Sequence, residues 1–159
     1  MRVGAATESE LIERYDRVDD ALNATRAAIQ EGILPGGGVA LVRAQKELLQ
    51  QIDAAADVSS DVKAGMQIMS RAVVEPFKQI IRNGSESPET LLETIKKSKD
   101  NIGYDARSDK TGDMFKIGIV DPHKVVRCAL ENAVSAASML LSVGCCMIDI
   151  EKHSTEQDN

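Results

Sequence analysis

The chain has 159 residues, a formal net charge of −6, 43% hydrophobic residues, 3% aromatic residues and no tryptophan. That is enough apolar material for one packed domain. With so few aromatics, small and unbranched side chains must fill it, which favours close helix packing and excludes an all-β fold. The acidic balance argues against nucleic acid or an anionic membrane as the main partner, and no apolar run approaches the ~20 residues of a membrane span.

The first predicted element is a helix from Glu8 to Glu31. Thr7 followed by Glu10 has the spacing of a capping box, and Gly32 has the position of a C-terminal stop. Leu11, Tyr15, Val18, Leu22 and Ile29 recur on a stripe about 60° wide, the signature of a face that packs against a partner. A second helix is predicted from Val39 to Ala55 and a third from Asp61 to Val74. Pro76 kinks or restarts the third, and Phe77, Ile80 and Ile81 carry its apolar face to Asn83-Gly84. Ser87-Pro88 opens a short helix that ends near Lys97. Between Lys99 and Val120 the segments 101–104 and 114–117 read as extended, with turn residues between them. Asp121-Pro122 opens the last long helix, which runs to about Val143, Cys145–Ile150 is a strand candidate, and residues 151–159 read as a frayed polar tail. The expected class is mainly α, an antiparallel helical bundle with a few short β-strands.

Cys128, Cys145 and Cys146 show no framework spacing, so buried, reduced thiols in a reducing compartment are expected. His123 and His153 stand at no ligand spacing from a cysteine, which argues against zinc. The N-terminal stretch turns acidic by Glu8, so no signal-peptide hydrophobic region is expected.

Three places carry chemistry worth weighing. Asp20 lies about 170° from the centre of the apolar stripe, with Asp16, Asn23 and Ala27. That face is either a solvated acidic surface or the delivery of a carboxylate to a remote site, to position a water or a metal ion. Gly36-Gly37-Gly38 precedes a helix, so it is either a flexible turn after Pro35 or a close backbone approach to an anion such as phosphate. It is not a Walker A loop, since no Gly-Lys-Ser/Thr follows. Asp121 before Pro122 is either the N-cap of the last helix or an acceptor for sugar hydroxyls. Turn chemistry accounts for Asp105-Ala106-Arg107. A non-enzymatic helical scaffold satisfies all of these readings as well as a nucleotide-binding module does.

Five ordered blocks narrow the choice. Residues 3–8 (VGAATE), 17–21 (RVDDA), 24–28 (ATRAA), 31–41 (EGILPGGGVAL) and 118–122 (GIVDP) together resemble the C-terminal part of a GroEL-type (group I) chaperonin, from Val3 to about Ile150. The resemblance implies that the chain is a fragment. Residues 1–31 would be the returning segment of an intermediate domain and 32–159 the second half of an equatorial, ATP-binding domain. It implies ATP as the ligand and magnesium as its companion, with the magnesium ligand and the phosphate loop supplied mainly upstream. It implies Asp20 as the catalytic carboxylate, Gly36 and Gly37 as nucleotide contacts, Asp121 as the ribose ligand, and Asp105, Ala106 and Arg107 as the adenine-side segment. The family usually carries Asn-Ala-small at this last place, and an ionised Asp accepts hydrogen bonds without donating any.

The expected partners are copies of itself in a double ring, a co-chaperonin and unfolded polypeptides, with no nucleic acid and no membrane. The isolated piece is expected to lack ATPase activity and to self-associate. The tail lacks Gly-Met repeats, and the expected location is a bacterial cytoplasm or the matrix of a mitochondrion or plastid.

Overall fold

The computed structural model describes residues 2–54, 58–84, 87–99 and 101–148. The expected tail 151–159 lies outside them. Internal contacts divide the chain into two units, Met1–Val126 and Arg127–Asn159.

The first unit opens with α1 (Glu8–Glu31). The Thr7 hydroxyl accepts the Glu10 N–H at 3.3 Å, and the Glu10 carboxylate reaches back to the Ala6 N–H, also at 3.3 Å. The box therefore closes one residue earlier than the reciprocal form. Gly32 ends the helix by donating its N–H to the Ala28 carbonyl at 2.8 Å.

The expectation that the apolar stripe packs is not met within this chain. Leu11, Tyr15, Leu22 and Ile29 are all exposed. The half-buried residues of the C-terminal half of α1 are Ala24, Ala27 and Ala28 on the other side, where small side chains let the helix approach β4 (Val120–Pro122).

The core sits further along. α2 (Val39–Ala54) contributes the buried Val39, Val42 and Ile52, α4 (Glu75–Asn83) Phe77 and Ile81, and α5 (Pro88–Lys97) Leu92 and Ile95. Each such side chain stabilises the unit by roughly 1.5–3 kcal/mol. α3 (Ser60–Ala72) is held to α2 by buried Gln45, whose Nε2 donates to the Ser70 carbonyl at 2.6 Å. Pro76 lies in the first turn of α4, after a break at Val73-Val74, so it restarts the helical path. The Arg43 guanidinium donates to the Lys99 carbonyl at 2.6 Å and the Ser98 hydroxyl at 3.2 Å, fixing the exit of α5.

Two antiparallel two-stranded ladders complete the unit. β1 (Ile33–Pro35) pairs with β4, with Leu34 opposite Asp121. β2 (Ile102–Asp105) pairs with β3 (Lys110–Asp113), with Tyr104 opposite Thr111. Residues 114–117, expected to be extended, instead form the short helix α6 (Met114–Ile117). The Asp113 carboxylate accepts the N–H groups of Phe115 and Lys116 at 3.1 and 3.4 Å, and this capping overrides the local apolar alternation.

α7 spans His123–Leu141, and the second unit begins within it. In that unit Arg127 donates to both carboxylate oxygens of Glu131 at 3.0 Å. Cys145–Ile148 form no strand, contrary to expectation, and residues 149–150 lie outside the described residues. The three thiols are free, but Cys145 and Cys146 are exposed instead of buried, and Cys128 is half-buried.

Candidate functional site

The candidate site forms where β1 runs into the glycine turn. Gly36 is buried, and its N–H continues the ladder to the Ile119 carbonyl at 3.0 Å. A Cβ on Gly36 would stand 3.1 Å from the backbone of Ile119 and Val120, so any side chain there would push β4 away. Gly38 has φ +78°, and a Cβ on it would meet the Phe77 backbone at 3.0 Å. The run is therefore a packed turn and not a flexible one.

Between these two, the backbone N–H of Gly37 is directed toward the Asp121 carboxylate. Asp121 is held in β4, two residues before the first residue of α7, so it is not the N-cap of that helix. The strand pairing with Leu34 fixes its backbone and aims its side chain at the turn instead. Burial raises its pKa above the ordinary aspartate value, and the Gly37 N–H acts in the opposite direction.

α2 starts immediately after the turn. Its N-terminus carries no acidic residue in the first turn, and glycine at the capping position offers no side chain. The first N–H groups of a helix lack intrahelical partners, and the helix dipole makes that end electropositive. The junction thus presents anion-attracting donors beside one partly desolvated carboxylate, whose second oxygen remains able to accept a hydroxyl.

The hairpin β2–β3 borders the same turn. A Cβ on Gly37 would lie 3.2 Å from Met114 Cε and 3.8 Å from the Tyr104 carbonyl. One residue further, Asp105 ends β2, and Ala106 and Arg107 sit exposed in the hairpin turn. The Asp105 carboxylate accepts the Ser108 hydroxyl at 2.6 Å and the Arg107 N–H at 2.9 Å, and these two contacts hold its pKa low. That carboxylate is committed to the turn. The Tyr104 hydroxyl, inside the hairpin, donates to Asp109 at 2.7 Å.

Gly36, Gly37 and Asp121 are therefore brought together, with residues 105–107 on the neighbouring hairpin. Asp20 is not part of this group. It is exposed, on the face of α1 shared with half-buried Ala24 and Ala27, about 16 Å along the helix axis from Glu31. Glu31 is where α1 meets the start of α7, through His123 Nδ1 at 3.1 Å, and the Lys124 ammonium donates to Gln30 at 2.6 Å. Sequence reading passed over Ile119, Met114 and Tyr104 as walls of the turn. The signal available was Gly103, whose absent side chain admits Val39 and Met114. Among the described residues no group of three or more His, Cys, Asp or Glu could hold a metal ion, and no helix is long and apolar enough to cross a membrane.

Comparison with known proteins gives consistent matches. The model of the TCP-1/cpn60 chaperonin family matches residues 1–151. Chaperonin GroEL 3 of Psychromonas ingrahamii (strain DSM 17664 / CCUG 51855 / 37) is 45% identical over 159 residues, which cover 100% of this chain and 28% of that protein. The crystal structure of a group III chaperonin in the open state aligns with a TM-score of 0.79 at 27% identity, covering 91% of this chain and 30% of that one. The chain spans less than a third of the length of either.

Proposed function

The chain belongs to the TCP-1/cpn60 chaperonin family, and we propose that it forms the nucleotide-binding part of an ATP-dependent folding chaperone. In this reading residues 1–31 are the returning segment of an intermediate domain, and the remainder is the second half of an equatorial domain. The observation that carries it is the contact between Gly37 and Asp121 at the mouth of α2. An uncapped helix N-terminus suits the phosphates, and the free oxygen of Asp121 suits a ribose hydroxyl. The hairpin turn 105–107 lies on the side where the base would rest, with backbone groups for contacts because the Asp105 side chain is already engaged.

Asp20 is assigned the role of holding the attacking water. Its place on the same face as Ala24 and Ala27 supports delivery by α1, whose far end is fixed at Gly32. ATP supplies the phosphoryl group whose hydrolysis drives domain movement, and magnesium would be held mainly by residues beyond this segment. The whole protein would assemble as a double ring of copies, close with a co-chaperonin and enclose non-native polypeptides, in a bacterial cytoplasm or an organellar matrix.

Thermal unfolding of the longer parent protein, with and without ATP, tests the reading. The expected result is a rise in melting temperature with ATP that Asp121→Ala removes. A parent protein indifferent to ATP would identify a helical scaffold and overturn the proposal.

A further inference from the structure

The turn between β2 and β3 is held from two directions. From within, the Asp105 carboxylate accepts the Arg107 N–H and the Ser108 hydroxyl. From across the hairpin, the Tyr104 hydroxyl donates to Asp109 Oδ1 at 2.7 Å. Tyr104 is 5% exposed whereas Asp109 lies at the surface, so a core side chain reaches outward to fasten the last residue of the turn. Asp109 has φ +54°, and among the described residues it is the one non-glycine with positive φ. Aspartate enters that region more readily than most residues, but still at a cost that surrounding contacts must offset. The hydrogen bond from Tyr104 is such a contact.

Tyr104 also touches the glycine turn. Its carbonyl lies 3.8 Å from where a Cβ on Gly37 would stand, and its hydroxyl lies 3.7 Å from the same position on Gly84, at the end of α4. One residue thus sits against the Gly37 turn through its backbone and against the far end of the hairpin turn through its side chain. Residues 105–107 hang between these two fixed points. Recognition through backbone groups depends on the path of the chain, and a small displacement of that path forfeits it.

We propose that Tyr104 and Asp109 are positioning residues for recognition of the nucleotide base, their hydrogen bond fixing the backbone of residues 105–107 against the Gly37 turn. The inference rests on the nucleotide reading above and adds to it the origin of selectivity for adenine.

Two measurements test it. On the 159-residue chain, amide hydrogen exchange reads the turn without any nucleotide. Tyr104→Phe keeps the ring and loses the hydroxyl, and should speed exchange across residues 105–110 roughly threefold to tenfold while Phe77 and Ile81 exchange as before. In the longer parent protein, calorimetry with ATP and with GTP reads selectivity. The parent should prefer ATP. Tyr104→Phe and Asp109→Ala should each weaken ATP binding roughly threefold to tenfold and leave GTP binding unchanged. Asp109→Gly relieves the backbone but removes the acceptor, and should behave like Tyr104→Phe. Asp109→Asn keeps both an acceptor and tolerance of positive φ, and should retain the preference. A parent that binds ATP while Tyr104→Phe keeps its preference over GTP overturns this inference alone, as does an Asp109→Asn variant that loses it. Unchanged exchange in Tyr104→Phe also overturns it. A parent with no affinity for ATP overturns the nucleotide reading, and this inference with it.

Discussion

The carboxylate of Asp121 faces the backbone N–H of Gly37, bringing β4 to the turn that launches α2. Two segments far apart in the chain thereby define one small polar junction. Gly36 extends the same ladder to Ile119, so the turn is held at consecutive residues from the same side.

The burial of that carboxylate makes stability depend on pH in a defined sense. Burial raises the pKa of Asp121 in the folded state, so the folded chain keeps this proton to higher pH than the unfolded chain does. The contribution of the group is complete below the ordinary aspartate value, about pH 4. It is lost as pH rises through the raised folded value. Asp121→Asn retains an acceptor for the Gly37 N–H without a charge to desolvate. The variant should be more stable than the parent at pH 7, with the difference closing on acidification below about pH 4. Urea unfolding of both proteins from pH 3 to 7 checks this, and a gap that widens at low pH contradicts it.

The packed nature of the turn predicts two alanine substitutions of opposite sign. Gly38→Ala must place a side chain at positive φ and 3.0 Å from the Phe77 backbone, and should cost about 2–3 kcal/mol. Gly65→Ala adds a Cβ in open space within α3 and should stabilise by about 0.5–1 kcal/mol. Chemical denaturation of the two single variants reads both.

The limits of the sequence are visible at particular residues. Thr7 with Glu10, Gly32, Pro76 and Ser87-Pro88 are local signals, and the helices they punctuate form close to where those signals stand. The β1–β4 ladder had no such signal, because three-residue strands show no periodicity and their pairing is decided by tertiary packing. Asp121 before Pro122 satisfied the local rule for an N-cap, and the ladder overrode it. The opposite error occurred at Asp113, where a real cap was passed over in favour of the apolar texture of residues 114–117. The stripe of α1 was legible as apolar, but periodicity does not say what covers it. Of the candidate site, the glycine turn and Asp121 were found as residues. Their direct contact was not, since it depends on the register of β4.

Asp20 is predicted to act in turnover and not in binding. In the longer parent protein, Asp20→Ala should leave ATP affinity nearly unchanged and lower kcat by at least tenfold, because a group that acts mainly in the transition state contributes little to the ground state. Steady-state ATPase measured alongside nucleotide titration separates the two. An unchanged kcat removes Asp20 from the mechanism.

The chain by itself should bind ATP weakly and not hydrolyse it. It carries −6, and the Asp105 carboxylate is engaged within its turn. Each charge-assisted contact missing from a phosphate site forfeits about 1.5–3 kcal/mol, so lacking two or three weakens binding roughly a hundredfold or more. Calorimetry with ATP and magnesium on the purified chain is the measurement. Micromolar affinity, or turnover above a blank, would show a more complete site than the one described.

The pairing of Leu34 with Asp121 also sets an order of events during folding. Helices and the β2–β3 hairpin close short loops, whereas the β1–β4 ladder must close about two thirds of the length of the first unit, and that entropy is met before its few hydrogen bonds form. The glycine turn, although early in the chain, therefore cannot take its final shape until Ile119 to Asp121 have been synthesised and docked. A chain emerging from the ribosome would build its helical core first and acquire the junction at Gly37 last.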